Sequence, residues 1–115
     1  MPAIVHIGRA ELPDRRRNMT LETVWIDAHG NPHRIEVSPG FYKNGRIGEV
    51  FARTARPDTT LDTLLDEGCQ LISRLLQRGC PLSEIVRGMG FDGAGRAETP
   101  LGLVVKTLIE LEAGR

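Results

Sequence analysis

The apolar residues of this chain change their period once, near residue 54, and that switch limits the folds open to it. Before the switch, His33, Ile35 and Val37 alternate with Arg34 and Glu36, and Leu21, Thr23 and Trp25 alternate with Val24 and Ile26. A period of two is that of a strand with two unlike faces. After the switch, Leu61, Leu64, Leu65, Gly68, Cys69, Ile72, Leu75 and Leu76 recur at three- and four-residue steps, the spacing of one helix face. Strands first and helices second predict an α+β domain: a small antiparallel sheet of three to four strands with about three helices packed on one face.

Punctuation supports this division. Ala28-His29-Gly30-Asn31-Pro32 reads as a turn, Ser38-Pro39-Gly40 as the start of a second connection, and Asn44-Gly45 as the turn into a third strand, Ile47 to Arg53. Thr59 followed by Asp62 resembles a capping box, Gly79 fits a left-handed position just past a helix end, and Pro81 stops any continuation. Leu82, Ile85, Val86 and Met89 mark a short second helix. Thr99 with Pro100 opens a third, striped by Leu101, Val104, Val105, Leu108 and Leu111. Residues 1–19 read as an N-terminal arm, in which Ala3–Ile7 is a candidate fourth strand, and residues 20–115 read as one domain.

The chain has 115 residues, 40% of them hydrophobic, which suits one modest core. No apolar run reaches the roughly 20 residues of a membrane span, and the N-terminus lacks a signal-peptide layout, so a cytoplasmic protein is expected. In that compartment Cys69 and Cys80 are expected to be thiols. The formal net charge is zero, which argues against broad DNA-backbone binding. The charge is nonetheless segregated. Lys43, Arg46, Arg53 and Arg56 face Glu49 alone in residues 41–56, whereas residues 57–73 carry Asp58, Asp62, Asp66 and Glu67 without a base. Arg15, Arg16 and Arg17 form a second basic cluster.

Catalytic machinery is hard to find. Cys69 and Ser73 sit on or near the packed helix face with no histidine nearby in sequence, so neither reads as a nucleophile. His29 and His33 flank a turn without a third ligand, and no metal or other cofactor is expected. Gly88-x-Gly90-x-x-Gly93 matches a dinucleotide fingerprint in letters but follows no strand. Gly93, Gly95, Arg96 and Thr99 do lead into a helix N-terminus, where free amides favour an anion. Glu49 has two readings. With Ile47 and Phe51 facing the core it would be an inward carboxylate; with Val50 and Ala52 facing the core it would be wet. Trp25 and Phe51 could stack on a base or fill the core.

Several of these segments, taken in order, resemble one family. Glu49-x-Phe51, Leu71-Ile72-Ser73, Gln77-Arg78-Gly79 and Thr99-Pro100-Leu101-Gly102 look like the TSCPD domain found at the C-terminus of adenosylcobalamin-dependent ribonucleotide reductases. Leu12-Pro13 with Arg15-Arg16 resembles its lead-in, so the likeness covers about residues 11–112. Stand-alone members of this size also occur, often in phages. The chain departs from the family pattern at Arg53–Thr59, where a Lys-x-Gly-Ser stretch is frequent. It also departs at Arg78, often histidine, and at Thr99-Pro100, which lacks the name-giving cysteine.

The resemblance implies a link to nucleotide metabolism without reductase activity, since the chain has no room for the barrel and no suitable cysteine set. The expected function is a non-catalytic, homo-oligomeric module that binds or sequesters a nucleotide-like anion. The expected site is Arg15, Arg16, Arg46, Glu49, Phe51, Arg53, Arg96 and Thr99. The alternative is an accessory domain that docks on a ribonucleotide reductase or another protein without a small ligand. Either would act in the cytoplasm, that of the host if the gene is phage-borne.

Overall fold

The computed structural model of the chain describes residues 19–114. Three strands, β1 (Leu21–Ile26), β2 (Pro32–Phe41) and β3 (Ile47–Thr54), form an antiparallel meander in the order β1-β2-β3. Three helices follow: α1 (Thr60–Gln77), the short α2 (Leu82–Ile85), which runs into a 3-10 turn at Val86–Gly88, and α3 (Pro100–Ala113). The α+β architecture therefore holds, with three strands among the described residues. The candidate strand Ala3–Ile7 and the rest of the arm lie outside them.

Two hairpin turns and the loop before α3 close in the same way. The first residue's N–H donates to the fifth residue's carbonyl, and a left-handed glycine in fourth place donates back to the first carbonyl. The three are Asp27–Asn31 with Gly30, Tyr42–Arg46 with Gly45, and Asp92–Arg96 with Gly95. A residue with a Cβ is strained at a φ near +80°, which is why glycine stands there.

β2 is longer than its composition suggests, because Ser38, Pro39 and Gly40 belong to the strand rather than to a connection. The register explains how proline is tolerated. β1 begins at Leu21, opposite Val37, so beyond that point β2 pairs with β3 alone. Pro39 lies opposite Val50, whose N–H and carbonyl both turn away from β2 to Ser73. In an antiparallel pair of that kind the partner's N–H also points outward, here to the side β1 has left, so the donor missing from Pro39 is not needed by the ladder.

The helices cover one sheet face. Ile35 and Val37 of β2 and Val50 and Ala52 of β3 point inward, with Leu65, Cys69, Ile72 and Leu76 of α1 and Val104, Val105 and Leu108 of α3 against them. Ile35, Val37, Val104, Val105 and Leu108 are wholly buried, each contributing about 1.5–3 kcal/mol of transfer free energy. Gly68 lets α3 approach α1: the methyls of Leu101 occupy the space a Cβ there would take. Thr59 caps α1 by accepting the Asp62 N–H, as the sequence suggests. The helix ends with Gly79 at φ +89°, whose N–H reaches Leu76 O while the Cys80 N–H reaches Leu75 O.

In the expected stripe of α1, Leu65, Gly68, Cys69, Ile72 and Leu76 are buried and Leu61 is partly buried, but Leu64 and Leu75 are not. Leu64, Leu71 and Leu75 are exposed, and polar residues take part of the inner side instead. Their role follows from the geometry of β3. Ser73 Oγ accepts the Val50 N–H at 2.9 Å and donates to Val50 O at 3.2 Å. Asp62 Oδ1 accepts the Thr54 N–H at 2.8 Å, and Gln77 Nε2 donates to Gly48 O at 2.9 Å. Glu112 of α3 accepts the Ile47 N–H at 2.8 Å. Helix side chains thus replace the missing neighbour strand along the outer edge of β3, as buried backbone polar groups require.

Candidate functional site

The sheet face opposite the helices is uncovered by any described element. The register sets out its residues: Glu22, Val24 and Ile26 on β1, Pro32, Arg34, Glu36 and Ser38 on β2, and Glu49, Phe51 and Arg53 on β3. The bulge between Gly40 and Phe41 decides this for β3. It puts Ile47 into the core together with Val50 and Ala52, so Glu49 and Phe51 do not share a face with Ile47. Of the two readings of Glu49, the structure takes the outward one. The carboxylate arm lies flat across Gly40, where a Cβ would sit 2.7 Å from Glu49 Cγ, and this covering leaves Glu49 half-buried.

Phe51 is 54% exposed beside Ser38, and Arg53 stands opposite Glu36. Glu22 and Glu36 are direct neighbours across β1 and β2, a repulsive pairing relieved by Arg34, whose Nε lies 3.7 Å from Glu22. The face therefore carries charges of both signs and two separate apolar spots: Phe51 beside Ser38 near one end, and Val24 and Ile26 on the far strand, opposite Arg34 and Pro32. The sequence reading picked out Glu49, Phe51 and Arg53 but passed over Val24, Ile26, Glu22, Arg34 and Glu36. The parity of β1 and β2 carried that signal, since an apolar pair out of phase with Trp25 must lie on the opposite face.

The other expected site residues separate. Arg46 closes the β2–β3 turn, its N–H on Asn44 Oδ1, at the end of the same sheet. Arg96 and Thr99 lie on the helix side, because Trp25 projects inward from β1 and donates from Nε1 to Ala97 O at 3.1 Å. The loop amides there are already taken. Asp92 Oδ1 accepts the N–H groups of Ala94 and Arg96, Asp92 Oδ2 holds Arg96 Nε at 3.2 Å, and Thr99 Oγ1 caps Gly102. The Ala94, Arg96 and Gly102 amides are thus bonded within the chain. Arg15 and Arg16 fall outside the described residues.

Other polar groups have structural roles. The Ser73 hydroxyl is held by both backbone groups of Val50. Burial and the nearby Asp66 push the Cys69 thiol up to about 12, which keeps it protonated at neutral pH. The Asp27 carboxylate is lowered to about 2, first by the hydrogen bond from His33 at 2.9 Å and then by backbone donors in its turn. Hydrogen bonding from the Thr54 amide likewise lowers Asp62. Among the described residues, no helix is long and apolar enough to cross a membrane.

Fold and face together define a one-sided α+β domain: a sheet with helices on one face, presenting a mixed apolar and charged surface on the other and no catalytic constellation among its described residues. Residues 9–111 match the TSCPD domain, and the chain belongs to that family. A vitamin B12-dependent ribonucleotide reductase of Bradyrhizobium diazoefficiens is 31% identical over 88 residues, which are 76% of this chain and 7% of that protein. The chain thus spans a small fraction of the relative it matches. No solved structure matches it.

Proposed function

We propose that this chain is a non-catalytic binding module of nucleotide metabolism, acting in the cytoplasm as a homo-oligomer, and that the outer sheet face takes a nucleotide-like anionic ligand. The observation that carries this reading is the convergence of Phe51, Arg53 and Glu49 on the helix-free face, with Phe51 54% exposed. A flat sheet with an outward aromatic is a stacking platform for a base, and stacking tolerates any base because each has a π-face. Arg53 supplies a fork for phosphate oxygens, with Arg46 at the sheet end and Arg15 and Arg16 of the arm as further donors. Glu49 supplies an acceptor for a base amine or a ribose hydroxyl. Arg96 and Thr99 have no part in this face.

Thermal shift and calorimetry with a panel of nucleoside mono-, di- and triphosphates and cyclic nucleotides test the reading. Ligand at about 100 times its Kd should add about 2.7 kcal/mol of apparent stability. Phe51→Ala and Arg53→Ala should each abolish most of that gain. Absence of both heat and shift at millimolar ligand would remove small nucleotides from the account.

A second reading is favoured by the exposed apolar residues Val24, Ile26 and Phe51 together with the reductase relative. In it, the same face docks on a ribonucleotide reductase and no small ligand is needed. Capture of a purified reductase by the wild-type chain, lost in Phe51→Ala, would support this reading over the first.

A further inference from the structure

The outward side of α1 carries a surface that the sheet reading leaves unused. Leu64 and Leu71 are each 59% exposed and Leu75 is 44% exposed. At 3.6 residues per turn the three fall within about 40° of one another, along a line of about 16 Å. Gly68, beside the line, is buried, and the Leu101 methyls of α3 fill the space next to it. A stripe of this kind is unusual on a small soluble domain.

The charges beside the stripe point to its occupant. Glu67 and Arg74 lie on one flank, two turns apart, too far to meet each other. Neither has an ion-pair partner among the described residues. A second α1 laid antiparallel about a two-fold axis near residue 70 brings Leu64 against the partner's Leu75 and sets the two Leu71 side chains beside the axis. The same operation brings Glu67 against the partner's Arg74, and Arg74 against the partner's Glu67. One patch therefore meets itself apolar against apolar and acid against base, as an isologous interface requires. Antiparallel packing also sets the acidic N-terminal half of each helix against the basic C-terminal half of the other and opposes their dipoles.

We infer that two copies of this chain pair through the Leu64–Leu71–Leu75 face of α1 in an antiparallel two-fold dimer. This deepens the oligomeric part of the proposed function and does not depend on ligand binding at the sheet. Sedimentation of the full chain over a concentration series tests it. Wild type should sediment as a dimer at about 100 µM, a concentration ample for even a small specific interface. Leu71→Asp should be monomeric there, with unchanged circular dichroism, because the side chain it replaces is already exposed. Glu67→Arg and Arg74→Glu should each weaken dimerisation about tenfold or more by opposing like charges, and the double exchange should restore it. A monomeric wild type overturns both the interface and the oligomeric reading. An oligomer that Leu71→Asp leaves intact, or a double exchange no better than the single ones, overturns this interface while leaving oligomerisation through another surface.

Discussion

β1 and β3 are both outer strands of one three-stranded sheet, yet their edges are finished in opposite ways. The outward backbone of β3 is bonded by Asp62, Ser73 and Gln77 from α1 and by Glu112 from α3. Among the described residues, no side chain bonds the outward backbone of β1. The faces differ in the same sense: the inner one holds the wholly buried Ile35 and Val37, while the outer one exposes Val24, Ile26 and Phe51. A fold that satisfies one edge with four side chains and covers one face with three helices has put its stability on that side. On the other side no described element covers the face or pairs with the β1 edge, and an exposed strand edge is a pairing template.

The contrast can be broken most forcefully on the closed side. Leu108→Ala removes a wholly buried side chain between α3 and the sheet and should cost about 2–5 kcal/mol in urea unfolding. A loss below about 1 kcal/mol would mean that the helical layer is not the main source of stability. Ser73→Ala should be the next largest, about 1–3 kcal/mol, because the Val50 N–H and carbonyl lose their partner at an edge that α1 shields from water. Hydrogen exchange adds a local readout: the Val50 amide should lose protection selectively, whereas β1 amides should already exchange faster.

Acid unfolding sharpens the comparison further. Asp27, Asp62 and Asp92 all have lowered carboxyl pKa values in the folded chain, chiefly through hydrogen bonds from His33, Thr54 and Arg96 respectively. A depressed folded pKa contributes stability that is present above the ordinary value of 3.8 and is lost as pH falls toward the folded value, about 2 for Asp27. The melting temperature should therefore fall between about pH 4 and pH 2. Asp62→Asn should flatten part of that fall, and an unaltered profile would detach the β3 edge from the acid response.

Much of this was legible in the sequence, and the misreadings share a physical cause. The change of period located the sheet and the helices, and Thr59, Gly79 and Thr99 marked helix ends where the caps are found. The period of α1 was right, but its burial was misread at Leu64 and Leu75. Leu64, Leu71 and Leu75 continue the apolar spacing on the solvent side, while Asp62, Ser73 and Gln77 point inward because a strand edge needs hydrogen bonds more than methyl groups. Apolar spacing reports a helix; it does not report whether the neighbour is a sheet face or a strand edge. At the site, the parity of β3 could not be read through the bulge near Gly40, which turns Ile47 to the opposite face from Glu49. Arg96 and Thr99 lie on the helix side of the sheet, away from Phe51, in a loop where Asp92 bonds the Ala94 and Arg96 amides and Thr99 caps Gly102.

The smallest expected change in stability is the one that matters most for function. Phe51→Ala removes a large aromatic ring, and on the closed side such a change would cost about 3–5 kcal/mol. Phe51 is 54% exposed and has Ser38 as its cross-strand neighbour, so unfolding free energy should move by no more than about 0.5 kcal/mol. If the outer face stacks a base, affinity should fall by about 1–3 kcal/mol in the same variant, roughly 5- to 150-fold. A ring that the fold does not need but a ligand does separates the two sides of the sheet in one pair of measurements. Equal losses in stability and affinity would instead make Phe51 part of the scaffold and leave the open face without its anchor.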